Sequence, residues 1–176
     1  MNNIAKEYEV PEYEKDLYEK LLVKGNFIGS TSFPLIRKKC LEEIKGFDPL
    51  MESAQDADVW LRLAEKYEAR GLNEALVIYH VHGEERITTN PQKKLNGIFR
   101  IYEKNKEFID ANAEAKARFY GMFSFIYASD GQLKNGLKYW WYSVRIRPVS
   151  CMKHLKCMCK ILLNYYQYLL LKRIKK

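Results

Sequence analysis

The sequence predicts an α+β chain that is mostly helical, with few strands and a helical extension at its C-terminal end. Three observations predict this. Apolar residues recur at helical spacing, as in Ala57, Trp60, Leu61, Ala64 and Tyr67, which together make one face of an amphipathic helix. Two short runs break that rhythm: apolar residues 33–36, and residues 75–82, which are β-branched and aromatic and read as strands. The long aliphatic runs of a buried parallel sheet are missing.

At 176 residues with 47% hydrophobic content, the chain is large enough for one core, or for a small domain with a helical appendage. The net charge of +8 is unevenly placed. Residues 131–176 hold eleven Lys and Arg and no acid, which leaves residues 1–130 at −3, the net +8 less these eleven. A basic tail on a mildly acidic body suggests an anionic surface as partner, membrane or nucleic acid. The four cysteines (Cys40, Cys151, Cys157 and Cys159) fit no zinc spacing. Together with an N-terminus unlike a signal peptide, they point to a reduced, cytoplasmic setting.

Taken in order, Leu17, Tyr18 and Leu21, with Tyr13 before them, predict a short helix after a polar start. Residues 25–37 read as a loop entering a strand, and 38–44 as a helical turn that Gly46 ends at C′. Ser53 is expected as the N-cap of a helix over 53–67, with Asp56 completing a capping box. Asp56 and Asp58 then sit in the first turn, where the helix dipole favours negative charge. Alone, that dipole is a sufficient reason for both acids. On a strand over 75–82, His80 and His82 face the same side. Thr89 and Pro91 open a helix over 89–110, with Leu95, Ile98, Phe99 and Tyr102 on its apolar face. Residues 117–150 read as a helical hairpin turning at Asp130-Gly131. The tail from 150 reads as a basic helix with Leu155, Met158, Ile161, Leu162, Tyr165, Tyr166 and Leu169 near one side. Its uncharged run, 161–171, is too short for the roughly 20 residues a membrane span needs. It is expected to lie on an anionic membrane surface or to cap the hairpin.

A wider pattern carries a resemblance. It runs Gly25-Asn26-Phe27-Ile28-Gly29-Ser30, Leu35-Ile36-Arg37-Lys38, Ile44-Lys45-Gly46-Phe47-Asp48, then Gln55-Asp56-Ala57-Asp58-Val59-Trp60-Leu61-Arg62-Leu63, and finally Tyr79-His80-Val81-His82. That order resembles the second, acceptor-side half of a family 2 glycosyltransferase of the GT-A fold, over about the first 90 residues. The nucleotide-binding half that precedes these pieces in the family has no counterpart here, nor does its metal-binding Asp-x-Asp. The expected organisation is therefore a partial glycosyltransferase domain over 1–110, then a helical hairpin and basic amphipathic tail over 111–176. Tyr127, Gly131, Gly136, Trp140, Ser143 and Pro148 fall where a tetratricopeptide unit places its aromatic, small and proline positions.

The resemblance implies inverting transfer of a sugar from a nucleotide-sugar donor to a glycan or lipid-linked acceptor. Asp56 aligns with the catalytic base, although Gln55 stands where the family has Glu. Asn26, Gly29, Gln55 and Trp60 fall at acceptor-side positions, although a Trp at position 60 of such a helix is more often core than a sugar-stacking platform. His82, and after it His80, match positions that contact metal or diphosphate, with Arg86, Thr88 and Thr89 as weaker candidates. Asp56-Ala57-Asp58 is not itself a metal-binding Asp-x-Asp, because helix residues two apart are rotated by roughly 200°. The divalent Mg or Mn of the complete enzyme thus lacks its main ligands, and the chain alone is expected to be inactive. The competing reading is a non-catalytic module that docks a partner or membrane through its helices. A specific nucleic-acid role ranks third, for want of a binding motif.

Overall fold

The computed structural model describes residues 16–72, 74, 76–77, 90–148 and 151–174, apart from the side chains of 151–155, 171, 173 and 174. The chain divides into two compact units, Met1–Asp48 with Asp56–Glu84, and Pro49–Gln55 with Glu85–Lys176.

The described residues are helical and contain no sheet. Over the described residues the α+β expectation is therefore corrected to a helical fold. Residues 34–37 belong to no strand, and Leu35 is fully exposed at 102%. A segment becomes a strand only where a neighbouring strand takes up its N–H and C=O groups. Among the described residues no strand pairs with 34–37, and the Arg37 carbonyl accepts instead from Cys40 and Leu41 N–H. Of the second expected strand, 76 and 77 are described and are not strand. His80 and His82 lie outside the described residues, as do Arg86, Thr88 and Thr89.

In the first unit α1 covers Leu17–Lys24 and α2 Lys38–Glu43, and α3 spans Gln55–Ala64, in this unit from Asp56 on. Leu17, Leu21 and Leu22 of α1 are buried, as are Ile44 and Val59, Trp60 and Leu61 of α3. The helical spacing of these residues is what puts them on inward faces. Helix α2 ends in a Schellman turn: Gly46 N–H donates to Leu41 O at 2.8 Å and Lys45 N–H to Glu42 O at 2.9 Å. That pattern puts Lys45, with φ 61°, at C′, and moves Gly46 one place on from its expected position. The Tyr67 hydroxyl donates to Glu43 of α2, and that bond raises the Tyr67 pKa to about 12.

The start of α3 also differs from expectation. The helix begins at Gln55, and Ala54 before it has φ 57°. Ser53 does not cap it. Its buried hydroxyl donates to Lys93 O at 3.1 Å instead. Ser53 lies so close to α4 (Pro91–Lys104) that a Cβ on Gly97 would meet its Oγ at 2.3 Å and its carbonyl oxygen at 2.4 Å. Segment 49–55 is thus seated on α4 at a point only glycine can occupy, and Ala54, not Ser53, is the residue directly before the helix.

In the second unit Asn90 caps α4, its Oδ1 accepting from Gln92 and Lys93 N–H at 3.0 and 3.1 Å, with Pro91 as the first helical residue. The expected helix over 89–110 breaks at Asn105 into α4 and α5 (Lys106–Ala111). Leu95, Ile98, Ile101 and Tyr102 are buried, whereas Phe99 is exposed. Helices α6 (Ala113–Ser129) and α7 (Leu133–Ile146) form the hairpin. Ser143 Oγ donates to Ala117 O at 2.7 Å, and Gly136 lies against Ser124 and Ala128, so the two run antiparallel. Gly131, with φ 80°, closes α6 in a Schellman turn, with Gln132 N–H on Tyr127 O at 2.8 Å. Tyr127 and Tyr139 stack across the hairpin with centroids 5.4 Å apart.

Helix α8 covers Cys151–Ile174. Ile161 is fully buried, and the Tyr168 ring lies over Gly131, where a Cβ would come within 2.3 Å of it. The apolar residues expected near one side of the tail therefore divide between two faces. Ile161 faces inward, while Leu162, Leu163, Tyr166, Leu169 and Leu170 are exposed.

Candidate functional site

The site begins with two residues of α3 one turn apart. Asp56 and Trp60 are four residues apart and so share a side of the helix. Both reach the loop that follows α1. Asp56 Oδ2 lies 3.3 Å from Asn26 Nδ2, and its Oδ1 accepts from Ala57 N–H at 2.8 Å. Trp60, 3% exposed, donates its Nε1–H to Gly29 O at 3.1 Å. A buried indole needs such a partner for its one donor.

The loop holds itself in shape. Asn26 Oδ1 accepts from Gly29 N–H at 3.0 Å, and Asn26 Nδ2 donates to Gly29 O at 3.1 Å. Gly29 has φ 92°, and a Cβ there would stand 2.8 Å from the Phe33 ring. Glycine is the residue that takes this backbone without strain. Asn26, Gly29, Asp56 and Trp60 are thus joined in one bonded set. Both Asn26 and Asp56 keep some exposure, Asn26 the more, so the carboxylate is held in place and still reachable from solvent. Gln55 is not joined to the set by any of these bonds, and its Nε2 donates to Met51 O at 3.0 Å.

Asp58 has a different task. It is 2% exposed, and its Oδ2 takes Arg62 Nε at 2.9 Å and Nη2 at 2.7 Å. The same guanidinium donates to Ile44 O at 2.6 Å and Gly46 O at 2.7 Å. Arg62 thereby fills the carbonyls left open where α2 ends, and Asp58 balances its charge. Sequence reasoning misses this role of Arg62, although an Asp four residues before an Arg is a readable signal.

The two acids of the Asp-Ala-Asp therefore diverge, one to the loop and one to Arg62. Among the described residues no three of His, Cys, Asp and Glu converge where a metal ion could be held. Two diverging carboxylates do not supply the several convergent oxygens that Mg or Mn requires. The described set does not fit a divalent metal.

Comparison with known proteins adds one relationship. The chain is 39% identical over 106 residues to the Escherichia coli (strain K12) protein named "Putative colanic acid biosynthesis glycosyl transferase WcaA". The chain is a partial homologue of that protein. The match covers 57% of this chain and 36% of the relative, so the chain spans about a third of the relative's length. No family profile matches the chain, and no solved structure does. The glycosyltransferase relationship read from the motifs is supported at this level.

Proposed function

We propose that this chain carries the acceptor side of an inverting, family 2-like glycosyltransferase, with Asp56 as its general base. Two things support the reading: the relationship to a protein named as a glycosyl transferase, and the contact of Asn26 with Asp56 across thirty residues. The contact is the observation that carries it. A carboxylate needed only for the helix dipole has no use for a loop amide aimed at it, whereas a base must be oriented on the proton it removes.

Asp56 takes the proton of an acceptor hydroxyl as that oxygen bonds to the anomeric carbon of the donor sugar. The bond to the nucleoside diphosphate breaks on the opposite face, and the leaving group departs with its electron pair. Asn26 orients the carboxylate, Gly29 gives the loop its turn, and buried Trp60 holds the Gly29 carbonyl. The acceptor is a glycan or a lipid-linked saccharide, reached from the cytoplasm. Recognition of the nucleotide lies with parts of the enzyme outside this set, so the isolated chain neither binds a nucleoside diphosphate tightly nor transfers sugar.

The test is Asp56→Asn in the complete enzyme, which keeps size and an oxygen facing Asn26 but removes the base. Turnover is expected to fall by about 10²–10⁴-fold with an unchanged helical circular-dichroism spectrum. Unchanged turnover would sink the assignment. Titration of the isolated chain with nucleoside diphosphates, with and without Mn, is expected to give no heat of binding. Metal-dependent binding there would mean that the donor site lies within this chain.

A further inference from the structure

Helix α8 has two faces that ask for different neighbours. One is used: Ile161 is fully buried, and Tyr168, two turns on, covers Gly131 at the hairpin turn. The other is open. Leu162, Leu163, Tyr166, Leu169 and Leu170 are all exposed, Leu163 at 55% and Tyr166 at 57%. Their spacing of one, four, seven and eight residues from Leu162 puts them on a single side of the helix. Scattered exposed apolar residues need no explanation, but five on one face make a surface suited to a partner.

Charge identifies the partner. Lys156, Lys160 and Leu163 follow one another at intervals of four and three residues, and both lysines are exposed. At the other end Lys172, also exposed, follows Leu169 by three. Residues so spaced are neighbours on a helix surface, so lysines border the apolar face. Residues 131–176 contain eleven Lys and Arg and no acid.

We propose that α8 docks this chain on an anionic lipid surface, its leucines entering the interface and its lysines reaching the headgroups. No described helix is long and apolar enough to cross a membrane, so α8 would lie along the surface rather than span it. A helix with one apolar face and a basic border binds in this way. A second copy of the chain fits poorly, because two acid-free faces would repel. A nucleic acid would meet the lysines but leave the leucines in water. This inference does not depend on the glycosyltransferase reading.

The test is flotation of the full chain with phosphatidylcholine vesicles, with and without phosphatidylglycerol, at low and high salt. Binding is expected only with phosphatidylglycerol, and is expected to weaken as salt rises. Lys156→Gln with Lys160→Gln should weaken it by about tenfold or more, and Leu162→Gln with Leu163→Gln by at least as much, with helicity unchanged. Absent binding, or equal binding to both vesicle types, overturns the proposal. So does an oligonucleotide complex that the leucine changes leave intact, or a lipid-free dimer that they disperse.

Discussion

Arg62 grips Asp58 Oδ2 with two nitrogens, at 2.9 and 2.7 Å, while it donates to the carbonyls of Ile44 and Gly46. Asp58 is almost wholly buried, so removing Arg62 leaves a charge without this counterpart and two carbonyls without this donor. Arg62→Ala is expected to cost about 3 kcal/mol, read as a lower urea midpoint. Arg62→Lys should recover little, because an ammonium cannot serve three acceptors from one plane. A loss below about 0.5 kcal/mol, the scale of an exposed pair, would show that the clamp is not formed.

Asn26 and Asp56 are expected to act together in turnover. Asn26→Ala leaves the base in place but removes the amide that aims it, and in the complete enzyme the rate should fall by about tenfold, since small misplacements of a catalytic group are costly. The same change removes the two Asn26 bonds to Gly29, so a stability loss of about 1 kcal/mol is expected beside it, too small to unfold the chain. A rate loss matched by equal unfolding would assign Asn26 to the fold alone.

Much of the helical framework is legible in the sequence, because amphipathic spacing and the Asn, Pro and Gly punctuation are local signals. Leu17, Leu21, Trp60 and Ile98 are readable as inward positions from period alone. The strand expected at 33–36 does not form, because a short apolar run does not say whether a neighbour will pair with it. Ser53 departs from its expected cap for a similar reason: the helix starts one residue later than the pattern suggests, behind Ala54, and the close approach at Gly97 is a contact over forty residues away. Asn26, Gly29, Asp56 and Trp60 stand out by family pattern, but the bonds that join them are not written in their spacing.

Lys45 offers a stabilising change. It holds the left-handed C′ position that Gly131 holds at the end of α6, and a side chain there costs about 1 kcal/mol or somewhat more. Lys45→Gly is therefore expected to raise stability by up to about 1 kcal/mol, as a higher urea midpoint with an unchanged slope. A fall in midpoint would mean that the Lys45 side chain makes a contact worth more than the backbone strain.

Gly97→Ala tests the seat of segment 49–55. The added methyl would fall on the Ser53 backbone, which cannot swing aside as a side chain can. Overpacking of this kind costs about 1–3 kcal/mol, with the upper end expected here. Restoring space by Ser53→Gly should recover only part, since the carbonyl oxygen at 2.4 Å remains. Full recovery would place the clash on the hydroxyl alone.

Asp110 gives the second unit an acid-sensitive contact. The Tyr102 hydroxyl donates to Asp110 Oδ1 at 2.8 Å, and Lys116 Nζ stands 3.1 Å away. The Tyr102 bond, and after it Lys116, holds the Asp110 carboxyl below its ordinary pKa against the opposing effect of burial. Burial and the same bond raise the Tyr102 pKa, so its hydroxyl stays protonated and able to donate. Because the folded pKa of Asp110 is the lower one, the unfolded chain binds more protons at a pH between the two values, and stability there rises with pH. The contribution is complete at neutral pH and is lost as pH falls from about 4 through the folded value. Tyr102→Phe removes the main cause of the shift. Thermal melts between neutral and acid pH should therefore show a smaller loss of Tm for Tyr102→Phe than for the natural chain. Parallel losses would mean that the acid sensitivity arises at other carboxylates.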